Sequence, residues 1–154
     1  MRPTRGITRL HTDIVVPASL DDTFAFFADA ANLERLTPPW LKFRILTPLP
    51  IAMREGAEIR YRLALYGIPV PWTTRIDVWE PGVRFVDRQT RGPYLWWCHE
   101  HRFEPVHGGT RVIDNVEYVP TLRWLTQWRV GTDVARIFDY RTEALKKVAA
   151  GGHL

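Results

Sequence analysis

The sequence contains one cysteine, no run of five like charges and no long apolar stretch. With Cys98 alone, it predicts neither an internal disulfide nor a structural zinc site built on cysteines. No segment approaches the ~20 apolar residues of a membrane span, and the first twenty residues lack the apolar core of a signal peptide. We therefore expect a cytoplasmic protein whose fold is stabilised by its hydrophobic core.

Several functional signatures are also missing. There is no Gly-x-Ser-x-Gly motif and no glycine-rich phosphate loop, so the usual signals of serine hydrolases and nucleotide enzymes are lacking and no cofactor is predicted. The 21 basic and 17 acidic residues are dispersed along the chain, which argues against nucleic acid as a partner.

Length and aromatic content are the first positive signals. At 154 residues, 45% of them hydrophobic, the chain is predicted to form one domain over 1–154. Seven Trp, seven Phe and five Tyr are more than a core of this size requires. Aromatic rings often line sites for apolar or flat ligands, although an aromatic-rich core would explain them equally well.

Hydrophobic periodicity predicts the order of elements. A strand over Thr8–Val16, with its even-numbered residues buried, is followed by two short helices, of which Ser19 begins the first and Pro38–Pro39 end the second. Six further strands are expected at about 41–47, 57–66, 70–80, 83–90, 95–104 and 110–119. An apolar stripe then predicts a long helix from about Thr132 to Val148.

This order predicts an α+β fold. Turns such as Pro81–Gly82 and Gly108–Gly109 are short enough to join only neighbouring antiparallel strands. The simplest packing is a curved antiparallel sheet of about seven strands wrapped around the long C-terminal helix. The opposite face of the sheet carries interleaved charges of both signs, which is typical of a solvated face with cross-strand ion pairs.

The residues themselves carry a family resemblance. The most specific part is a Gly92–Pro93–Tyr94 turn followed by a Trp-x-His-x-His-x-Phe strand, 97–103, and further matching segments lie at 32–34, 36–39, 79–82, 85–87, Gln89 and 109–110. Together they resemble a bacterial branch of the START/Bet v 1-like (SRPBCC) superfamily, that of polyketide cyclase/dehydrase-like ligand-binding proteins, from about Thr8 to Val148. The resemblance implies a helix-grip fold with a deep apolar cavity between sheet and helix. It does not imply one activity, since the superfamily includes lipid carriers, hormone receptors and cyclases.

The strand around residues 95–104 carries the densest polar signal. His99 and His101 share one face of the strand with Trp97 and Phe103. Because these neighbours are apolar, we expect this face to be the inner one, with the two imidazoles ~6.6 Å apart along the strand. The neighbouring strands bring Asp87 and Gln89 on one side and Asp114 and Tyr118 on the other to the same face. Cys98 points the other way, which makes a Cys–His nucleophilic pair improbable.

The turn near residues 107–108 suggests a strand register. Pairing Phe103 with Val112 would set His101 opposite Asp114 and His99 opposite Val116, whereas a two-residue slip would give His99 the acid. In either register a histidine–carboxylate pair is available. Such a pair can be purely structural, with the buried polar groups satisfying each other's hydrogen bonds, or it can contact a ligand or act in catalysis. Asp87 or Asp114 could also complete a metal site, but this spacing is weakly specific and the resemblance implies no metal, so none is predicted.

These observations leave three functional classes open. The first is a carrier of a small hydrophobic or aromatic molecule, such as a lipid, a quinone or a polyketide-like compound. The second is a cyclase or dehydratase in which His99 or His101 is the general base and Asp114 or Asp87 orients it. The third is a protein- or membrane-interaction module, for which Trp124 and Trp128 would form an exposed patch; the same residues could instead be a lid or ordinary core.

The predicted ligand-binding residues are His99, His101, Asp87, Gln89, Asp114, Tyr118, Trp97, Tyr61, Trp72 and Phe138.

Overall fold

A computed structural model describes residues 1–3, 6–121 and 123–154, without the side chains of 123–128. Seven antiparallel strands form one sheet in the order β1-β7-β6-β5-β4-β3-β2. Two α-helices and two 3₁₀ helices, Ala30–Leu36 and Pro39–Leu41, accompany it. The strands are β1 Thr8–Val16, β2 Arg44–Ile45, β3 Glu58–Leu65, β4 Ile68–Glu80, β5 Arg84–Arg91, β6 Tyr94–Val106 and β7 Gly109–Pro120, and the α-helices are α1 Leu20–Ala28 and α2 Arg123–Ala150.

The helix-grip fold expected from the sequence is confirmed: a seven-stranded antiparallel sheet packs against a long C-terminal helix. On α2, the buried residues Val134, Phe138, Leu145 and Ala149 recur at helical spacing and face the sheet and α1. Such a stripe buries apolar surface at every turn, which is the main stabilising contribution of an amphipathic helix.

The segment between α1 and β3 differs most from the prediction. A strand was expected over 41–47, but β2 spans only Arg44–Ile45, and Pro39–Leu41 forms a 3₁₀ helix. Pro39 suits the first position of a helix because it lacks the amide hydrogen that would go unpaired there. Lys42, in the left-handed conformation with φ 46°, ends this helix and leaves little chain for the strand.

The long helix also begins earlier than predicted, at Arg123 instead of about Thr132. The predicted roles of Trp124 and Trp128, as a patch, a lid or core residues, concern side chains that lie outside the described part of the chain. Within the described residues, no helix has the length and apolar character that crossing a membrane requires.

The register of the sheet positions the site. Phe103 pairs with Val112, His101 with Asp114 and His99 with Val116, as predicted from the turn. The two-residue slip is therefore excluded. On the other side of β6, Asp87 of β5 pairs with His99. The outer face carries cross-strand ion pairs, among them Arg88–Asp77, as the mixed charges indicated.

Candidate functional site

The candidate site is an internal cavity of about 170 Å³ between the sheet, the 3₁₀ helices and α2. Its walls are mainly apolar. Four aromatic rings from three strands pack together along it: Tyr61 stacks on Trp72 at 5.8 Å, and Trp72 meets Trp97 edge-on at 5.4 Å and Tyr94 at 5.5 Å. The alternation of β3 and β4 places Tyr61 and Trp72 on the inner face, and a register irregularity between Tyr94 and Trp96 brings Tyr94 to the same face as Trp97.

A second cavity, of about 340 Å³, lies beside the first one. The two share the lining residues Leu41, Leu65, Tyr94 and Ile137. The outer cavity also contacts the exposed side chains of Trp40 and Tyr66. The outer cavity is thus separated from the inner one by no more than these shared side chains.

Polar side chains gather in one part of the inner wall. Asp87, His99, His101 and Arg141 all line the cavity, and Asp114 lies directly behind the histidines. His99 Nε2 is 2.7 Å from Asp114 Oδ1, and His101 Nε2 is 2.7 Å from Asp87 Oδ2. The shortest hydrogen bonds thus run diagonally across the strands, because in the backbone register His99 pairs with Asp87 and His101 with Asp114.

Longer contacts complete this network. His101 Nδ1 is 3.2 Å from Asp114 Oδ1, whereas His99 Nδ1 is 3.9 Å from Asp87 Oδ2 and makes no hydrogen bond within the described residues. Arg141 donates to Asp114 through Nε at 3.2 Å and through Nη2 at 3.4 Å, and its Nη2 is 3.2 Å from His101 Nδ1. His99 Nδ1 is therefore a hydrogen-bond acceptor that a ligand can use.

The rings of the network are held by packing on both sides. The two imidazoles lie 3.7 Å apart between centroids, Phe85 stacks on His101 at 4.1 Å, and Phe138 meets His99 edge-on at 5.3 Å. Phe27 lies under the Arg141 guanidinium, 5.2 Å from its central carbon. These contacts restrict ring rotation, so the orientations of the imidazole nitrogens are set before any ligand enters.

Burial and the neighbouring groups shift the pKa values of the two histidines in opposite directions. Burial, and next the adjacent His101, lower the pKa of His99 to about 4 despite the nearby acids. Burial also opposes the charge on His101, but the hydrogen bonds to Asp114 and Asp87 outweigh it and raise its pKa. At neutral pH His99 is therefore uncharged, and His101 is the histidine whose protonated form the neighbouring acids favour.

The two acids are ionised in spite of their burial. Burial alone would raise the pKa of Asp114, but the charge of Arg141, followed by the histidines, holds it well below its ordinary value. Burial likewise opposes the charge of Asp87, but the hydrogen bond to His101 and the charges of the histidines outweigh it and lower the pKa. The Arg141 guanidinium and the hydrogen bonds to the histidines thus compensate for the burial of the two carboxylates, as a buried polar cluster requires.

Seven of the ten predicted ligand-binding residues line the cavity: His99, His101, Asp87, Trp97, Tyr61, Trp72 and Phe138. The other three, Asp114, Gln89 and Tyr118, are placed elsewhere among the described residues. Asp114 is covered by the histidines that it orients. The Gln89 side chain bonds to the backbone N and O of Tyr94 and so closes the β5–β6 turn. Tyr118 packs behind Tyr94 and Trp97, so its ring supports the wall without reaching the cavity.

Arg141 is the important residue that the sequence analysis missed. It is 8% exposed and lies on the apolar stripe of α2, three residues after Phe138 and four before Leu145. A basic residue at a stripe position was the available signal, because a buried arginine needs a buried acid as its partner. Thr74, which donates to Asp87 at 3.1 Å, lies within the predicted strand 70–80, but the sequence analysis did not include it in the polar cluster.

Comparisons with known proteins agree with this architecture. The family model described as "Polyketide cyclase / dehydrase and lipid transport" matches residues 16–143. The search of curated proteins finds no match.

Three solved structures illustrate the shared fold. TTHA0849 from Thermus thermophilus has a TM-score of 0.70 and 20% identity, covering 96% of this chain and 100% of its own. Zhui aromatase/cyclase from Streptomyces sp. R1128 has a TM-score of 0.67 and 20% identity, and the match covers 97% of this chain and 100% of Zhui. StfQ, a di-domain aromatase/cyclase from the steffimycin biosynthetic pathway, has a TM-score of 0.70 and 11% identity, covering 94% and 52%.

Proposed function

The chain belongs to the polyketide cyclase/dehydrase and lipid-transport family, and from that premise we propose that it binds a small aromatic or hydrophobic molecule in the cavity between sheet and α2. The observation that carries the proposal is the cavity itself. A dry cavity of ~150 Å³ in another protein is large enough to bind benzene. At about 170 Å³, the inner cavity holds one ring without any rearrangement, and the outer cavity receives the rest of a larger ligand.

The lining favours a flat ligand with a polar substituent. Rings of Tyr61, Trp72, Tyr94 and Trp97 offer faces and edges on which an aromatic ligand packs. His99 Nδ1 is an acceptor for a ligand hydroxyl, and the buried indole N–H of Trp72 has no hydrogen-bond partner within the described residues. Apolar walls with a few such polar groups are typical of small-molecule sites. Two of the similar structures are described as aromatase/cyclases, which also supports an aromatic ligand.

A pair of probes tests the proposal directly. We expect 2-naphthol to bind about tenfold more tightly than naphthalene, because a hydroxyl that donates to His99 adds ~1–1.5 kcal/mol. In His99→Ala, 2-naphthol should lose ~1–3 kcal/mol while naphthalene is little affected. Isothermal titration calorimetry with a chelator present measures both affinities, and thermal unfolding shows whether the variant is folded. Equal losses for the two probes would remove His99 from the site.

A cavity-filling variant tests the location. Leu65 lines both cavities, so Leu65→Trp should abolish binding of both probes. The matched control is Val15→Trp, at a β1 position that is 55% exposed on the outer face. Unchanged binding in Leu65→Trp, or no binding of either probe to the wild-type chain, would contradict the proposal.

A cyclase-type reaction is the second candidate, and one arrangement favours it. Asp114 holds Nε2 of His99 at 2.7 Å and leaves Nδ1 free beside the cavity, which is how an acid orients a histidine general base. If a substrate is found, His99→Ala should abolish its turnover while the affinity for a product analogue persists. Binding without turnover by the wild-type chain would leave the carrier function alone.

A further inference from the structure

The four ring nitrogens of His99 and His101 face two carboxylates, two nitrogens toward Asp114 and two toward Asp87. On one side, Asp114 Oδ1 lies 2.7 Å from His99 Nε2 and 3.2 Å from His101 Nδ1. On the other side, the remaining nitrogens, His99 Nδ1 and His101 Nε2, lie 3.9 and 2.7 Å from Asp87 Oδ2. One atom each of Asp87, His99 and His101 is thus brought within 4.8 Å of the other two.

We propose that Asp87, His99 and His101 form a binding site for a divalent first-row transition metal ion, with Asp87 Oδ2, His99 Nδ1 and His101 Nε2 as its ligands. An ion ~2.0–2.2 Å from each ligand separates them by ~2.9–3.4 Å, depending on the coordination angle. The two distances to Asp87 Oδ2, 2.7 and 3.9 Å, lie on either side of this range. The third separation, between His99 Nδ1 and His101 Nε2, is at most 4.8 Å, so side-chain movements of about 1–2 Å admit the ion.

The surroundings of the ligands supply what a metal site needs. Metal-binding histidines usually donate their other N–H to a carboxylate, which fixes the tautomer and the ring orientation. Asp114 can serve both rings in this way, and Arg141 balances its charge through two hydrogen bonds. Thr74 donates to the second oxygen of Asp87 and orients that carboxylate. The set of two imidazoles and one carboxylate suits zinc, cobalt, nickel or iron better than magnesium or calcium.

The chain supplies three ligands, and all three residues line the inner cavity. A fourth position is therefore open to water or to an oxygen atom of a bound molecule, as in metal sites that activate or bind a ligand. This inference goes beyond the proposed binding of an aromatic molecule, because the ion requires only the side chains of the polar cluster. A metal titration without any organic ligand tests it independently.

Cobalt is the probe of choice because its visible absorption distinguishes a low-coordinate site from ions on the surface. We expect the full-length chain, first stripped with a chelator, to bind one Co²⁺ with the intense absorption of four- or five-coordinate cobalt, and one equivalent of Zn²⁺ to displace it. This measurement needs no variant. Weak octahedral absorption, or no saturation at one ion per chain, would overturn the inference.

Variants then assign the ligands. Asp87→Asn and His99→Gln should each weaken Zn²⁺ binding at least ~100-fold, and Asp114→Asn ~10–100-fold through the ring orientation, in competition with a chromophoric chelator. The matched control is His107→Gln, in the exposed β6–β7 turn, which should bind like the wild type. Circular dichroism establishes that each variant is folded. Unchanged affinity in folded Asp87→Asn and His99→Gln, or an equal loss in His107→Gln, would contradict the assignment.

Discussion

The ion pair between Arg141 and Asp114 joins α2 to the sheet and provides a sharp test of the electrostatic argument. Both side chains are buried, 8% and 4% exposed as residues, and the guanidinium lies 3.2 Å from the carboxylate. Replacing Arg141 with Met keeps much of the volume and the apolar stem, but it leaves the buried Asp114 carboxylate without its guanidinium partner. We expect a marked loss of stability.

The magnitude follows from the geometry. At 3.2 Å, with an effective dielectric constant of ~20, two unit charges attract by about 5 kcal/mol. Breaking a buried pair by removing one partner typically costs about 3–5 kcal/mol. Arg141→Met should therefore destabilise the chain by about 3–5 kcal/mol, or lower its Tm by about 10 °C or more for a chain of this size.

Urea unfolding at pH 7, followed by circular dichroism with a chelator present, measures this loss. Lys147→Met, an exposed position on the same helix, is the control and should change stability by no more than about 0.5 kcal/mol. In the double variant Arg141→Met with Asp114→Asn the buried negative charge is gone, so part of the stability should return. A loss below ~1 kcal/mol for Arg141→Met, or strict additivity in the double variant, would refute the reasoning.

Three further predictions concern packing, backbone and thiol chemistry. Phe138→Ala should cost about 3–5 kcal/mol in urea unfolding, because the ring is 4% exposed; a loss below ~1 kcal/mol would contradict its burial. A Cβ at Gly109 would lie 1.9 Å from the backbone oxygen of Val16, so Gly109→Ala should destabilise the chain by about 3 kcal/mol or more. Gly108 has φ +84° and open space around it, so Gly108→Ala should cost only ~1–2 kcal/mol. Equal losses in the two variants would contradict this argument. Burial raises the pKa of Cys98 to about 11, so iodoacetamide at pH 8 should modify it on the order of a hundredfold more slowly than an unperturbed thiol, a difference that urea should abolish.

The elements with strong periodicity were predictable from the sequence, and those without it were not. Strands β3 to β7 and the long helix agree with the predicted segments to within a few residues, apart from the earlier start of α2. The length of β2 was overestimated: it spans only Arg44–Ile45, because the apolar residues around Leu41 form a 3₁₀ helix that faces the cavity. Alternation over the predicted strand 83–90 would place Val83 on the inner face with Phe85, but Val83 is 46% exposed, since β5 begins only at Arg84 and the alternation does not extend into the turn.

For the site, the sequence alone determined which side chains share the inner face. Alternation on one strand brings His99 and His101 to the same side, and the length of the next turn sets Asp114 opposite His101, because a strand has a period of two and a tight turn leaves little choice of register. These relations are local or nearly so. They needed no knowledge of how the sheet bends or where the helix lies.

Only the tertiary structure decided what those side chains do together. Arg141 reaches Asp114 from a helix position 27 residues further along the chain, and each histidine forms its shortest bond with the acid diagonal to it, not with the one opposite it in the backbone register. The cavity likewise depends on how far α2 and the 3₁₀ helices stand from the sheet. Such distances are sums of many packing contacts between elements distant in sequence, so no local pattern of residues encodes them.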